Sequence, residues 1–250
     1  MPCGWLSLAL SRRVPAMFER PHHRRIGRVL SALDGDLLRE ANCLFGGGTA
    51  IALRFGEYRE SVDMDFLVSD LDSYRHLRQL LTGEAGFAGL LRSDGERFRL
   101  AREVRADQYG IRTAVLVDDL PIKFEIVLEG RIEIEAASGK DQVCGVSTLT
   151  PLDMATSKLL ANADRWSDDS VFSRDVIDLA MMSPSLPLLR NALIKAQGAY
   201  GDAIARDLER AIERLQNRPN WLERCMQVMA INLPKAVLWS IIRALRRVLV

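Results

Sequence analysis

Two aspartates, Asp63 and Asp65, stand one residue apart in the segment SVDMDFLV. Successive side chains of a strand point to opposite faces, so a strand here would carry both carboxylates on the same face. Carboxylates held this close repel each other, and hard cations that prefer oxygen ligands, such as Mg²⁺, relieve that repulsion. The spacing therefore predicts a divalent-metal site.

Three glycines, residues 46–48, lie between a short apolar run, residues 43–45, and Thr49. Backbone without Cβ atoms approaches a ligand closely, and a helix that begins near Thr49 would point free N–H groups at an anion such as phosphate. Each feature alone has a plainer meaning, because a glycine triplet often forms only a tight turn and an isolated D-x-D often ends a strand. Their order and short separation favour a site where a nucleoside triphosphate (NTP) is attacked at phosphorus.

The string GGGTAIALRFGEYRESVDMDFLV resembles the first motif of the nucleotidyltransferase superfamily, in which a glycine turn, a helix and a strand bearing D-x-D follow one another. More narrowly, it resembles the AbiEii/AbiGii toxin family of nucleotidyltransferases, whose pattern R-x-S-x-D-x-D corresponds here to Arg59, Ser61, Asp63 and Asp65. The resemblance covers residues 18–182. It implies an NTP substrate, Mg²⁺ or Mn²⁺ as cofactor, and a toxin of a toxin–antitoxin or phage-defence pair with a cognate antitoxin.

Three alternating segments rich in Val, Ile and Phe are predicted as antiparallel strands over residues 98–104, 111–117 and 122–128. Glu125 interrupts the third segment, and an acid in an apolar strand costs free energy unless something pairs with it. Lys123 lies on the same face, so a structural ion pair is one explanation. The other is that Glu125 completes a three-carboxylate metal site, which the resemblance favours because the family has a third acid on a later strand.

A helix start is predicted at Thr150, which precedes Pro151 and could cap the helix. On this helix Lys158, Asn162 and Arg165 share a face, which could hold a triphosphate or could be an ordinary solvated stripe. The family pattern K-x-x-A-x-x-x-R followed by R-D-x-x-D-L favours the phosphate role. It matches Lys158, Ala161 and Arg165, followed by Arg174, Asp175, Asp178 and Leu179.

Asp175 and Asp178 have two possible roles. They stand three residues apart on a helix that Ser173 is expected to cap, and Arg174 can reach Asp178 across one turn. The two acids could hold Arg165 or Lys158 in position, or they could act directly in catalysis, and the resemblance treats an acid on this helix as functional.

The predicted site residues form two sets. The predicted catalytic residues are Asp63, Asp65, Glu125, Lys158, Asp175 and Asp178, of which Asp63, Asp65 and Glu125 are the predicted metal ligands. The predicted nucleotide-binding residues are Gly47, Gly48, Thr49, Arg59, Ser61, Asn162 and Arg165.

Composition limits the alternatives. The 250 residues are 48% hydrophobic with a formal net charge of +1, so the chain can bury a core, and nucleic-acid contact would need a local basic patch. One such patch is the excess of basic residues after residue 217, which a solvated terminal helix would also explain. The cysteines show no paired spacing, and no segment is apolar enough to span a membrane, so we expect a cytoplasmic protein.

The expected fold is α/β (α+β), a mixed nucleotidyltransferase sheet with flanking helices followed by a helical C-terminal half. We expect a flexible leader over residues 1–17, the nucleotidyltransferase core over 18–149 and a helical domain over 150–250. The leading hypothesis is metal-dependent transfer of a nucleoside monophosphate from an NTP to an acceptor, which we expect to be RNA such as tRNA. The alternatives are a catalytically idle nucleotide- or RNA-binding module, or a kinase-like transfer of the γ-phosphate.

Overall fold

The computed structural model describes residues 18–249, so the leader predicted at residues 1–17 lies outside the described residues. A mixed sheet forms the first half of the chain. Its strands are β1 (Leu44–Gly46), β2 (Met64–Val68), β3 (Arg99–Ala106), β4 (Gly110–Val117) and β5 (Leu120–Leu128), arranged in the order β1-β2-β5-β4-β3. A small separate pair follows, with β6 (Gln142–Val143) antiparallel to β7 (Val146–Ser147).

The three predicted antiparallel strands are confirmed as β3, β4 and β5. Asp118 and Asp119 make the two-residue turn between β4 and β5, and both have positive φ angles, 53° and 60°. Two-residue hairpins favour this backbone because its twist matches that of the flanking strands. The return of β5 places it parallel to β2, so Glu125 lies directly beside Asp65.

Helices surround the sheet and make up the second half of the chain. They are α1 (Pro21–Ala32), α2 (Gly35–Glu40), α3 (Gly47–Arg54), α4 (Leu71–Thr82), α5 (Pro151–Arg165), α6 (Arg174–Met181), α7 (Leu186–Tyr200), α8 (Ala203–Asn217), α9 (Trp221–Val228) and α10 (Lys235–Ala244). Short 3₁₀ helices lie at Gly86–Leu90, Asp169–Val171 and Leu245–Val248. Between residues 18 and 249, no helix is both long enough and apolar enough to cross a membrane.

One face of the sheet carries a row of packed aromatic side chains. Phe45, Phe66 and Phe124 lie side by side on it, with neighbouring ring centroids 5.3 and 5.1 Å apart, and Phe87 meets Phe124 edge-on at 5.2 Å. Asp65 precedes Phe66 by one residue, and Glu125 follows Phe124 by one residue. Because strand side chains alternate, both acids point to the opposite face. The apolar face therefore fixes which way the carboxylates point.

The first helical segment differs from its prediction. Apolar spacing from Pro21 predicts one helix ending near Asn42, but α1 ends at Ala32 and a second helix, α2, begins at Gly35. Asp34 causes the break, because its side chain accepts hydrogen bonds from the backbone N–H groups of Asp36 and Leu37 and so caps a new helix. The single-helix prediction is wrong here.

The start of α5 is as predicted. Thr150 accepts a hydrogen bond from the Asp153 backbone N–H at 3.1 Å, and Pro151 occupies the first helical turn. One continuous cluster of buried apolar side chains extends from Phe18 to Val248 and includes both halves of the chain. The boundary expected between residues 149 and 150 coincides with the change from strands to helices, and it stays a prediction because the core crosses it.

Candidate active site

A cavity of about 580 Å³ lies where α3, the start of β2, β5, α5 and the segment before α6 meet. Most of the predicted site residues line it: Gly47, Gly48, Arg59, Ser61, Asp63, Asp65, Glu125, Lys158 and Arg165. Thr49, Asn162, Asp175 and Asp178 are buried and are not among its lining residues. The cavity therefore combines the glycine turn and the D-x-D segment of the first half with α5 of the second half.

The glycine turn gives room at the cavity wall. Helix α3 begins at Gly47, two residues before the predicted start, and no side chain caps its N-terminus. A Cβ atom at Gly47 would lie 2.6 Å from Asp65 Oδ2, and one at Gly48 would lie 2.1 Å from Arg59 Nη2. Only glycine fits these positions, and the uncapped N–H groups of the first helical turn stay available for an anion.

Asp63 and Asp65 both line the cavity, although Asp63 is the residue just before β2 and not part of the strand. Neither carboxylate forms a hydrogen bond or ion pair with any residue between 18 and 249. Burial raises the pKa of Asp65 above its ordinary value, and the nearby carboxylates of Asp63 and Glu125 raise it further against the opposing charge of Lys123. These are two acids held close together without counter-charges in contact.

Glu125 is the register partner of Asp65 on the adjacent parallel strand. Its carboxylate forms ion pairs with Lys123 at 2.6 Å and with Arg112 at 2.5 Å. Burial opposes ionisation of Glu125, but these two cations outweigh it and lower its pKa. The ion pair with Lys123 and the position beside Asp65 are thus both present, while the contact with Arg112 was not foreseen.

The donor set can be compared with the needs of a divalent metal. Within residues 18–249, no three His, Cys, Asp or Glu side chains come close enough together to hold a metal ion. Asp63 and Asp65 nevertheless offer two carboxylates without protein partners, and Mg²⁺ is commonly held by one or two carboxylates together with substrate phosphates and water. The residues fit a two-carboxylate metal site, and Glu125 as a third ligand stays a prediction.

A buried charge network lies behind the cavity. Asp178 accepts hydrogen bonds from Arg59 Nε at 2.6 Å and from the Tyr58 hydroxyl at 2.6 Å. Lys158 Nζ lies between the two helix acids, 2.9 Å from Asp175 and 2.8 Å from Asp178. Burial opposes ionisation of both acids, but the adjacent cations lower their pKa values. The acids thereby hold Lys158 and Arg59 at the cavity wall.

The predicted partner of Asp178 is wrong. Arg174 forms no ion pair with Asp178, because Arg59 and Lys158 occupy that carboxylate; Arg174 lines the cavity instead. Asp175 pairs with Arg165 Nε at 2.7 Å as well as with Lys158, so both contacts considered for the acids are present. Sequence spacing identified these charges but could not decide how they pair.

Ser173 is not the side-chain cap that the sequence predicts. Its φ angle is 50°, it makes no capping hydrogen bond, and its Oγ instead accepts one from Trp221 Nε1 at 2.9 Å. Phe172 also has a φ of 50° and stacks on Trp221 with ring centroids 6.0 Å apart. Two successive left-handed residues cost about 1–2 kcal/mol each, and Trp221 holds them. Phe172 and its apolar neighbours Val171, Val228 and Met229 line one side of the cavity.

Two predicted nucleotide-binding residues have other surroundings. Thr49 is buried, and its hydroxyl donates a hydrogen bond to Ser61 Oγ at 2.8 Å. Asn162 is 3% exposed, and its Nδ2 has no hydrogen-bond partner among the described residues. Neither reaches the cavity, so any contribution of these two side chains to nucleotide binding is indirect.

His23 is a buried residue in contact with Ser61, and sequence reasoning missed this contact. The ring is fully buried, and its Nε2 accepts a hydrogen bond from the Ser61 backbone N–H at 3.1 Å. Nδ1 lies 2.7 Å from Glu57 Oε1, so the proton of the neutral ring is on Nδ1. His23 therefore anchors the segment that leads into Asp63. The sequence signal for its burial is its position three residues before Ile26, which places His23 on the apolar face of α1.

The geometry joins three elements of phosphoryl chemistry. Unpaired carboxylates, an uncapped helix N-terminus and the cations Lys158, Arg165 and Arg174 line one cavity. Oxygen ligands suit a hard dication, and helix N–H groups and cations suit phosphate. The cavity can therefore hold a metal-bound triphosphate.

The chain was compared with protein families, curated proteins and solved structures. A family model described as nucleotidyl transferase AbiEii toxin, type IV TA system, matches residues 28–240. No curated protein matches the chain. Among solved structures, a protein from H. pylori with the provisional name nucleotidyltransferase has a TM-score of 0.49 at 15% identity, covering 91% of this chain and 94% of that one. JHP933 from Helicobacter pylori has a TM-score of 0.48 at 13% identity, covering 91% and 90%. From the family match, the chain belongs to the AbiEii nucleotidyltransferase toxins of type IV toxin–antitoxin systems.

Proposed function

We propose that this toxin transfers a nucleoside monophosphate from an NTP to a hydroxyl group of an RNA acceptor, such as tRNA. The acceptor oxygen forms a bond to the α-phosphorus, the bond from that phosphorus to the bridging oxygen breaks, and pyrophosphate leaves. One observation carries the proposal: the unpaired carboxylates of Asp63 and Asp65 share a cavity with the uncapped start of α3 and with Lys158.

Mg²⁺ or Mn²⁺ is the proposed cofactor, with Asp63 and Asp65 as its protein ligands. Both carboxylates lack contacts that a metal would have to replace, which supports the assignment. When bound, the dication would neutralise charge on the phosphates. Glu125 is the proposed third ligand and the acceptor of the hydroxyl proton, and it would have to exchange contacts with Lys123 and Arg112 to fill the ligand role.

The remaining roles follow from the cavity wall. The N–H groups at Gly47 and Gly48 would bind phosphate oxygens, as helix N-termini do. Lys158 would balance the charge of the leaving pyrophosphate, and Asp175 and Asp178 are positioning residues that hold Lys158. The apolar side of the cavity, which includes Phe172, would take the nucleobase.

The biological setting follows from the family. A type IV toxin–antitoxin system implies an antitoxin partner. We propose that the toxin acts in the cytoplasm, where NTPs and RNA are present, and that its action on RNA serves phage defence.

Incubation with Mg²⁺, bulk RNA and either α-labelled or γ-labelled NTP tests the reaction. Label transferred to RNA from the α position alone supports nucleotidyl transfer. Transfer from the γ position would show a kinase-like reaction, and no transfer from either position with any of the four NTPs would favour an idle binding module. The Asp65→Asn variant is the control for a contaminating activity, because its transfer should fall by at least about 100-fold.

A further inference from the structure

The face of the sheet that carries Asp65 continues beyond the cavity as a basic surface. Register partners run across it from Asp65 on β2 to Glu125 on β5, Arg112 on β4 and Arg105 on β3. Register partners on neighbouring strands point to the same face. Strands lie about 4.8 Å apart, so this row extends roughly 14 Å from Asp65 to the sheet edge.

Two more rows add cations to the same face. Lys123 on β5 is in register with Ala114, which is in register with Arg102 on β3. Arg99 on β3 is in register with Leu116 on β4. We call this surface the basic sheet face, formed by Arg99, Arg102, Arg105, Arg112 and Lys123.

The cations of the basic sheet face differ in how they are paired. Arg99 contacts Asp119 at 2.7 Å, while Arg112 and Lys123 contact Glu125. Arg102 and Arg105 are exposed and form no ion pair with any residue between 18 and 249. Charged residues do protect edge strands from pairing with other sheets, but that role is satisfied by either sign of charge.

The C-terminal basic residues, which were the alternative candidate for an RNA surface, are largely occupied. Arg218 forms two contacts with Asp169, at 2.7 and 2.8 Å. Lys235 contacts Glu223, and Arg247 donates to the Pro184 carbonyl. Arg224 and Arg243 on the last helices are also exposed and form no ion pair with described residues. The sheet cations differ from them because Arg112 and Arg105 stand in the row of register partners that leads to Glu125 and Asp65.

We propose that the basic sheet face binds the phosphate backbone of the RNA acceptor and directs its reactive end to Asp65 and Glu125. The proposal rests on the proposed function. A nucleic acid fits better than an acidic protein, because protein interfaces have an apolar centre, whereas this face offers separated cations around the buried Ala114. The row that starts at Arg105 also ends at Glu125 and Asp65, the carboxylates beside which the acceptor hydroxyl must react.

The test is RNA binding by the double variant Arg102→Glu/Arg105→Glu. Affinity is measured by fluorescence anisotropy with a 5′-labelled single-stranded RNA at several salt concentrations between about 50 and about 200 mM. Removing two phosphate contacts should weaken binding at least about tenfold and reduce the slope of log K against log salt by about 1.4. Binding of a non-hydrolysable NTP, measured by calorimetry, should be unchanged.

The matched control is Arg190→Glu/Arg206→Glu, which makes the same change of charge. These arginines lie on α7 and α8, are exposed, form no ion pair with described residues and do not line the cavity. The control should keep the wild-type RNA affinity and salt slope apart from a small general effect of net charge. Thermal melting of all variants checks that each is folded.

The proposal is overturned if the Arg102/Arg105 variant binds RNA with the same affinity and salt slope as the control variant. Loss of binding to an acidic antitoxin with RNA binding intact would assign the face to a protein partner and would also overturn it. RNA binding does not depend on the transfer reaction. If the Arg102/Arg105 variant shows the reduced salt slope but the wild-type protein transfers no label, the RNA-binding surface is retained and the proposed reaction is rejected. If the variant transfers label to limiting RNA at the wild-type rate, the proposed reaction is retained and the RNA-binding surface is rejected.

Discussion

Asp65 and Glu125 are direct neighbours on parallel strands, yet cations contact only one of them. Glu125 holds Lys123 and Arg112, and Asp65 contacts no cation among the described residues. The pKa values accordingly move apart, since burial raises that of Asp65 while the adjacent cations lower that of Glu125. Of these two acids, Asp65 is therefore the one whose ionised carboxylate a bound dication would stabilise more.

The first prediction concerns Asp65→Asn. Transfer of the α-phosphate label should fall by at least about 100-fold, because the variant lacks the carboxylate that is proposed to bind the metal ion. The melting temperature should stay equal or rise, because the amide avoids a buried carboxylate whose raised pKa shows that ionisation is opposed there. Asp72→Asn, on the exposed surface of α4, should change neither quantity. A melting temperature well below that of the wild type would show that Asp65 serves the fold.

The second prediction separates the two roles of Glu125. Glu125→Gln should reduce transfer by at least about 100-fold, with a change in the free energy of unfolding below about 1 kcal/mol. The small cost is expected because Lys123 and Arg112 are 47% and 41% exposed and can be solvated. Lys123→Met should reduce transfer less than Glu125→Gln at saturating RNA, because it leaves the Glu125 carboxylate in place. If Lys123→Met lost as much activity as Glu125→Gln, the ion pair itself would be the essential feature.

The third prediction concerns the buried network. Asp178→Asn should lower the free energy of unfolding in urea by about 3–5 kcal/mol, because Arg59 and Lys158 would keep buried charges without this carboxylate. Lys158→Met should cost less, since Asp175 retains Arg165 and Asp178 retains Arg59. Lys158→Met should still lose at least about 100-fold in transfer.

Asp169→Asn is the control for this network. Asp169 is exposed, and its ion pairs with Arg218 and Arg214 should each contribute below about 1 kcal/mol. Equal destabilisation by Asp178→Asn and Asp169→Asn would contradict the argument that burial makes the Asp178 contacts costly to break.

The fourth prediction is a pH dependence of stability due to His23. Burial lowers the His23 pKa, partly opposed by Glu57, with smaller effects of Arg20 and His22. Below the unfolded value of about 6.5, the unfolded chain binds more protons than the folded chain, so stability falls as pH falls. The contribution approaches about 1.4 kcal/mol per pH unit.

His23→Gln provides the comparison, because glutamine can accept the Ser61 hydrogen bond but does not titrate. The melting temperature of this variant should fall less than that of the wild type between pH 7 and pH 5.5. Glu57 contributes at lower pH, because its lowered pKa gives stability that is lost only below about 4.3. His76→Gln, on exposed α4, should follow the wild type, and parallel curves for His23→Gln and wild type would remove His23 as the cause.

Local signals in the sequence predicted much of the fold. Strand alternation predicted β3, β4 and β5, and the Thr150-Pro151 signature predicted the start of α5. The glycine turn and D-x-D spacing placed Gly47, Gly48 and Asp65 at one cavity. These features succeed because each depends on residues close together in the chain, where geometry follows from spacing.

Contacts between distant segments could not be predicted in the same way. Asp178 has Arg174 within one helical turn, yet it pairs with Arg59, which comes from 119 residues away. Ser173 could cap α6 but is used by Trp221. In each case a polar side chain could have bonded to a partner nearby in the sequence, but tertiary packing supplied a different partner. Sequence spacing therefore identified the polar residue and could not predict which group it contacts.

The contact between Arg59 and Asp178 has a consequence for how the toxin comes into being. A ribosome that has translated Arg59 must add 119 further residues before Asp178 exists. During that interval the nascent polypeptide carries the D-x-D segment without the counter-ion that holds Arg59 against Gly48. A chain that ends before Asp178 therefore lacks the carboxylate that fixes Arg59 at the cavity wall.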